Sequence, residues 1–223
     1  MNTATKPIIR TGRKFEQVLL GAREIFMRDG FEGASVDDIA KAAGVSKATL
    51  YSYFPDKRLL FVEVASNECN RQAEASIQLI DQTAPAREVL TQAAQQMVGI
   101  LISRFSQQMF RVCVAESFRF PEIGQKFYQS GPLNARQHMT EYLQEAVERG
   151  ELRIADITLA ADQFLELCKT DIFPRAVFGI STSFSETEID RIVTGAVDMF
   201  LHGCQFTTRV QLWRYSYEVL DPP

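Results

Sequence analysis

Apolar positions recur along this chain about every 3.6 residues, and no window alternates cleanly enough for a strand. The sequence therefore predicts an all-α protein of about nine helices. The first helix sets Phe15, Val18, Leu19, Ala22, Ile25 and Phe26 on one stripe and stops at Gly30. Ser35 stands before VDDIAKAAG with Asp38 three residues on, a capping-box-like pair that opens a short second helix ending at Gly44. Val45 points inward, Ser46 caps a third short helix, and Pro55-Asp56 closes it. Asp56 in turn caps a long fourth helix whose apolar face runs Val62, Ala65, Cys69, Ala73, Ile77, Ile80.

Thr83-Ala84-Pro85 breaks the pattern. The stripe Val89, Leu90, Ala93, Met97, Leu101, Phe105 then predicts one helix over 87–105, apolar nearly all round and hence central. FRVCVAESFRF is a further helix stopped by Pro121, and 122–149 is helical with an interruption at Gly131-Pro132. Asp156 caps the next helix, with Pro174 expected to kink its last turns. Ser185-x-x-Glu188 is a capping box for a final long helix. The last two helices, roughly 157–178 and 186–207, are apolar on more than one face, with small Gly195, Ala196 and Gly203 on the second. They are expected to pair with their copies as a four-helix dimer interface through Ile189, Val193, Ala196, Val197 and Phe200. The tail RVQLWRYSYEVLDPP is expected to fold back on the body.

Helix, glycine turn, helix over residues 36–54 is a helix-turn-helix. Small Ala42, Ala43 and Gly44 let its helices approach at the turn, while Ile39, Val45, Leu50 and Phe54 face a shared core. Lys47, Ala48, Thr49, Tyr51, Ser52 and Tyr53 remain outside. Lysine reaches guanine acceptors or phosphates, threonine offers a hydroxyl and a methyl, and tyrosine hydroxyls suit phosphate oxygens. Lys57 opens the fourth helix, where its charge and the free backbone N–H groups would favour a phosphate.

Charge sharpens this picture. The net charge of −4 argues against a DNA binder by itself, but residues 1–60 hold ten Lys/Arg against seven Asp/Glu. The remaining residues hold fourteen against twenty-one, so a basic head sits on an acidic body. SVDDIAKAAGVSKATLYSYFPDKRLLF, with AREIFMRDGFEGAS ahead of it, resembles the DNA-binding domain of the TetR family of bacterial transcriptional regulators. The shared features are a capped second helix, Gly-Val-Ser in the turn, Leu-Tyr-x-x-Phe in the third helix and a Lys opening the fourth. The resemblance implies base contacts from Lys47 and Thr49, phosphate contacts from Tyr51, Tyr53 and Lys57, and a backbone-proximal cap at Ser35. Ala48 would meet a thymine methyl or act as a spacer. RVCVAESFRFPEIGQKFYQSGP more loosely resembles the C-terminal domain of the AefR/AcrR-like subgroup.

The expected organisation is a DNA-binding domain over 1–60, including a basic arm 1–14, joined by the long helix to an effector-binding and dimerisation domain over 61–223. Sixteen Phe and six Met are many, and most lie in the second part. The resemblance implies a cavity there, for which Met97, Leu101, Phe105, Phe110, Val114, Phe118, Phe127, Phe164 and Cys168 are candidates, with His138 as a polar orienting group. Such a lining suits an apolar or amphipathic small molecule. The partners expected are palindromic operator DNA, a second copy of the chain and that effector. The rival reading is a repressor without an effector pocket.

Other classes are disfavoured. Only two histidines are present, and no Gly-rich phosphate loop, Gly-x-Ser-x-Gly or carboxylate cluster appears, so no enzyme and no cofactor are expected. Four cysteines without Cys-x-x-Cys spacing read as buried thiols in a reducing cytoplasm, not as a metal site or disulfide framework. No run of eighteen apolar residues spans a membrane, and the N-terminus does not read as a secretory signal.

Overall fold

The computed structural model describes residues 12–78 and 80–205, which form eleven α-helices and no strand. They are α1 (Arg13–Gly33), α2 (Val36–Ala42), α3 (Lys47–Tyr53), α4 (Lys57–Gln78), α5 (Ala86–Ile102) and α6 (Arg104–Glu116). Then follow α7 (Pro121–Tyr128), α8 (Asn134–Glu148), α9 (Ile157–Leu167), α10 (Ile172–Val177) and α11 (Glu186–Gln205). Lys6 and Arg10 of the expected arm, and the aromatic tail with Trp213, Tyr215 and Tyr217, lie outside the described residues.

The N-terminal caps read from the sequence are formed, while α1 continues past the expected stop at Gly30 to Gly33. Ser35 Oγ accepts from the Asp38 amide at 3.0 Å, and Ser46 Oγ from that of Thr49 at 3.1 Å. At α11 the box is complete: Ser185 Oγ accepts from the Glu188 amide at 3.3 Å, and Glu188 Oε2 from that of Ser185 at 3.0 Å. Eleven helices stand where nine were expected because 122–149 divides into α7 and α8 and 157–178 into α9 and α10, while the boundary between the two helices before them moves back to Ser103. Ser103, extended at ψ 138°, ends α5 and caps α6 where one helix over 87–105 was expected. The chain also turns at Asp171 (φ 63°), before Pro174, which therefore sits in the first turn of α10 where its missing N–H costs nothing. Gly131-Pro132 interrupts the α-helix as expected, without ending the helical path. A wider π-helical turn, Gln129–Leu133, carries α7 into α8 around the proline.

The side chains form two cores. The first gathers Phe15, Val18, Ala22, Ile25 and Phe26 of α1, Ile39, Leu50 and Phe54 of the helix-turn-helix, and Leu60–Ala65 of α4. It continues beyond the head, taking in Met109 and Cys113 of α6 and Ile123 of α7. Packing thus passes residue 60 without a seam. The second core joins α5, α8, α9, α10 and α11. A Cβ at Gly21 would stand 2.4 Å from the Ala43 nitrogen, so the small turn residues serve a close approach of α1 to that turn. Gly30, at φ 73°, kinks α1 and lets Gln108 of α6 come so near that a Cβ would meet its amide at 2.7 Å.

The expected dimer residues are placed elsewhere. Val193, Ala196, Val197 and Phe200 are buried in the second core, where α11 packs along α5 and Phe200 meets Phe164 edge-on at 5.1 Å. Ile189 packs partly buried against the same core. A helix with two apolar faces gives no sign in its periodicity of which face turns inward. The outward side of α11 instead presents Met199, Gly195 and Gly203, and that of α9 presents Leu159 and Gln163.

Candidate nucleic-acid interface and ligand cavity

α2 ends in a tight turn at Gly44 (φ 63°), with the Val45 amide bonded to the Ala40 carbonyl at 3.0 Å. Leu50 and Phe54 are buried, Phe54 stacking on Phe15 at 5.5 Å, and these anchors set the rotation of α3. Lys47, Ala48, Tyr51 and Ser52 consequently face outward, with Thr49 and Tyr53 half-buried at the edges. Ser46 Oγ lies 2.9 Å from Thr49 Oγ1, and Ser52 Oγ donates to the Thr49 carbonyl at 2.6 Å. The Tyr53 ring packs edge-on against Phe15 at 5.7 Å, leaving Tyr51 as the more open phenol. Asp37, not anticipated as part of this face, pairs with Lys47 at 2.5 Å.

Lys57 departs from its expected role. Its Nζ turns toward α1, donating to the carbonyls of Phe31 at 2.9 Å and Ala34 at 3.1 Å, 4.5 Å from the Phe31 ring centroid. It satisfies carbonyls exposed where α1 ends, which is structural work, not a free phosphate anchor. Its neighbour Arg58 pairs with Asp56 at 3.0 Å and with Glu116 of α6 at 3.1 Å. Glu63 pairs with Lys126 of α7. Glu68, almost fully buried, binds Arg23 of α1 at 2.8 Å and Arg71 at 2.6 Å. Ion pairs and Gln108 thus tie α1 and α4 to α6 and α7, a set of contacts with no local sequence signature.

The ten expected ligand residues do not converge. Met97 and His138 alone among them line a cavity of about 240 Å³ between α5 and α8, with Val89, Ala93, Met139, Tyr142 and Leu165. Phe105 packs on Phe61 at 5.7 Å and Phe127 joins the same first core. Phe110 stands edge-on to Phe127 at 5.9 Å and to Phe173 at 5.3 Å. Phe164 and Cys168 are fully buried in the second core, and Leu101 is half-buried outside the cavity lining. Val114 and Phe118 point to solvent, Phe118 almost completely. Hydrophobic composition marks all of these alike; only packing separates them. Tyr142 was missed, although His138 and Tyr142 are spaced four apart on one face of α8. Its buried hydroxyl has no hydrogen-bond partner among the described residues, and burial, reinforced by nearby Glu151, pushes the phenol up to about 12.

A second, wider concavity of about 1330 Å³ runs between α9 and α11, lined by Leu152, Ile154, Leu159, Leu167, Met199 and Phe200. Burial raises the thiols of Cys69 to about 11 and of Cys113 and Cys168 to about 12, so all three stay protonated and inert near neutrality. No described helix is long and apolar enough to cross a membrane.

Residues 18–64 match the bacterial regulatory proteins of the tetR family, and residues 88–203, more than half the chain, match the C-terminal domain of AefR-like transcriptional repressors. Among solved structures, the flavonoid-responsive regulator FrrA is 35% identical, with a TM-score of 0.68, covering 89% of this chain and all of its own. A TetR-family regulator from Mesorhizobium loti MAFF303099 is 27% identical with a TM-score of 0.74, covering 86% of this chain and 96% of its own. The transcriptional repressor AcnR of Corynebacterium efficiens is 35% identical over 72 residues, 32% of this chain and 36% of its own length. The chain thus spans about a third of the curated repressors it first matches. A helix-turn-helix with an outward polar face, set on a helical body that matches the AefR-like repressors over more than half the chain, has one family reading: this chain belongs to the TetR family of bacterial transcriptional regulators.

Proposed function

We propose that the protein is a homodimeric repressor that reads a palindromic operator with two copies of α3 and leaves it when a small molecule fills the α5–α8 cavity. The observation that carries the DNA reading is the division of α3 into a face locked into the core by Leu50 and a polar face of Lys47, Ala48, Tyr51 and Ser52. Lys47 and Thr49 are the base readers, and Tyr51 and Ser52 the phosphate contacts. Ser46 holds the helix start, and Tyr53 and Ser35 support the edges. Two such helices fit successive major grooves when roughly 34–36 Å apart.

The dimer face proposed is the outward side of α9 and α11. Leu159 and Met199 are 51% and 65% exposed there beside the apolar concavity, while the buried side of α11 is already used by α5. Large exposed apolar side chains gathered on one face suit a partner surface. The cavity, at about 240 Å³, lies just under the roughly 300–1,000 Å³ usual for drug-sized ligands, so it suits a compact one. Apolar Val89, Met97 and Met139, the Tyr142 ring and the polar His138 favour an aromatic molecule with a polar substituent. The 35%-identical relative described as flavonoid-responsive supports the same class.

A ligand releases DNA only by as much as it prefers the weakly binding conformation. The test is operator selection from random duplexes, followed by gel-shift titration with and without a flavonoid panel, with His138→Ala alongside. We expect an enriched inverted repeat, a dimer in light scattering, and release by at least one flavonoid that is blunted in His138→Ala. Flavonoid binding without any change in operator affinity would favour the ligand-independent repressor instead.

A further inference from the structure

One exposed pair on the DNA-facing side has no evident packing role. Lys47 Nζ, at the first position of α3, lies 2.5 Å from Asp37 Oδ1 in the first turn of α2. The two side chains are 54% and 69% exposed, and pairs that open to water contribute little to stability. The adjacent carboxylate, Asp38, is committed to the cap, accepting from Ser35 Oγ at 2.6 Å. Asp37 makes no such cap contact and stands beside the lysine that leads the reading helix. A carboxylate there opposes every phosphate, so non-specific attraction cannot be its use.

Base-edge chemistry supplies a use. In the major groove a G·C pair shows the guanine O6 acceptor beside the cytosine N4 amino donor. Those two atoms are hydrogen-bonded to each other, hence about 2.9 Å apart. An ammonium donor and a carboxylate acceptor 2.5 Å apart match that spacing in complementary order. A T·A pair offers the same order of acceptor and donor but puts a methyl group where guanine has its second acceptor, N7, so lysine favours guanine. C·G and A·T pairs reverse the order and set like against like.

We propose that Asp37 and Lys47 read one G·C pair in each operator half-site as a single donor–acceptor unit. Lys47 donates to guanine O6 and N7, and Asp37 accepts from the cytosine amino group, which makes Asp37 a specificity-determining residue. This rests on the DNA reading of α3 given above.

The test is operator selection with the full-length wild type, Asp37→Asn, Asp37→Ala and Lys47→Ala, followed by binding titrations across salt on operators varied at single positions. The wild type should enrich G·C at one position per half-site. Asp37→Asn should lose on the order of tenfold discrimination at that position alone and shift it toward adenine on the strand of the cytosine, because an amide pairs with adenine N6 and N7. Asp37→Ala should lose the discrimination without the shift, and Lys47→Ala should relax the same position. Both Asp37 variants should bind scrambled DNA more tightly with a steeper salt dependence, and a thermal melt close to wild type would show that the head is intact. An unchanged motif in Asp37→Asn, or equal weakening on every sequence, would overturn the role of Asp37 while leaving the DNA reading in place. Absence of any motif for the wild type would instead remove the DNA reading itself.

Discussion

The head and the body use hydrophobic residues in different ways, and the difference explains why one is far easier to read. In the head, two seven-residue helices, α2 and α3, are each fixed by a capping serine and a few buried anchors, Ile39, Leu50 and Phe54. With so few core positions, most of the remaining side chains of α3 face outward, and the polar face follows directly. The body has several long helices with apolar residues on two sides, and α11 buries one of them against α5 while exposing Met199. There, composition alone does not distinguish core, cavity and partner surface.

The largest expected effect tests that distinction on α11. Val197→Glu places a charge at a position 1% exposed and should cost on the order of 4 kcal/mol or more, unfolding the body instead of yielding folded monomers. Leu159→Glu with Met199→Glu should stay folded by circular dichroism yet run as a monomer in light scattering. A folded, monomeric Val197→Glu protein would return the interface to the buried face.

Next in size is Lys57, where the head is less local than its motif suggests. Lys57→Met removes two charge-assisted hydrogen bonds to the α1 carbonyls and should cost about 2 kcal/mol in urea unfolding. The salt dependence of operator binding should barely change. A slope flattened by about one charge with unaltered stability would restore Lys57 as a phosphate contact.

Ser46→Ala removes the cap on the Thr49 amide and should cost about 1 kcal/mol, seen as faster amide exchange at the start of α3 and weaker operator binding. One further effect is shared by both cores and grows with pH. Folding raises the thiols of Cys69, Cys113 and Cys168 above the ordinary value of 9.0, to about 11 or 12. The unfolded chain therefore loses those protons first, so stability is fully present below pH 9 and falls as pH rises through that window. Unfolding midpoints should drop there, and Cys168→Ala should make the drop shallower.

Local signals in the chain determined the all-α class, the helix caps at Ser35, Ser46, Asp156 and Ser185, and the outward face of α3. Each depends on residues three or four apart, whose interaction survives in any fold that keeps the helix. Tertiary structure alone decided the inward turn of Lys57, the pairing of Asp37 with Lys47 and the burial of Glu68 between two arginines. It also decided which two of ten expected pocket residues, Met97 and His138, line the cavity between α5 and α8. The physical reason is common to these cases. A hydrophobic or charged side chain carries no record in its own sequence of the partner that another helix will bring to it, and only packing many residues away supplies that partner.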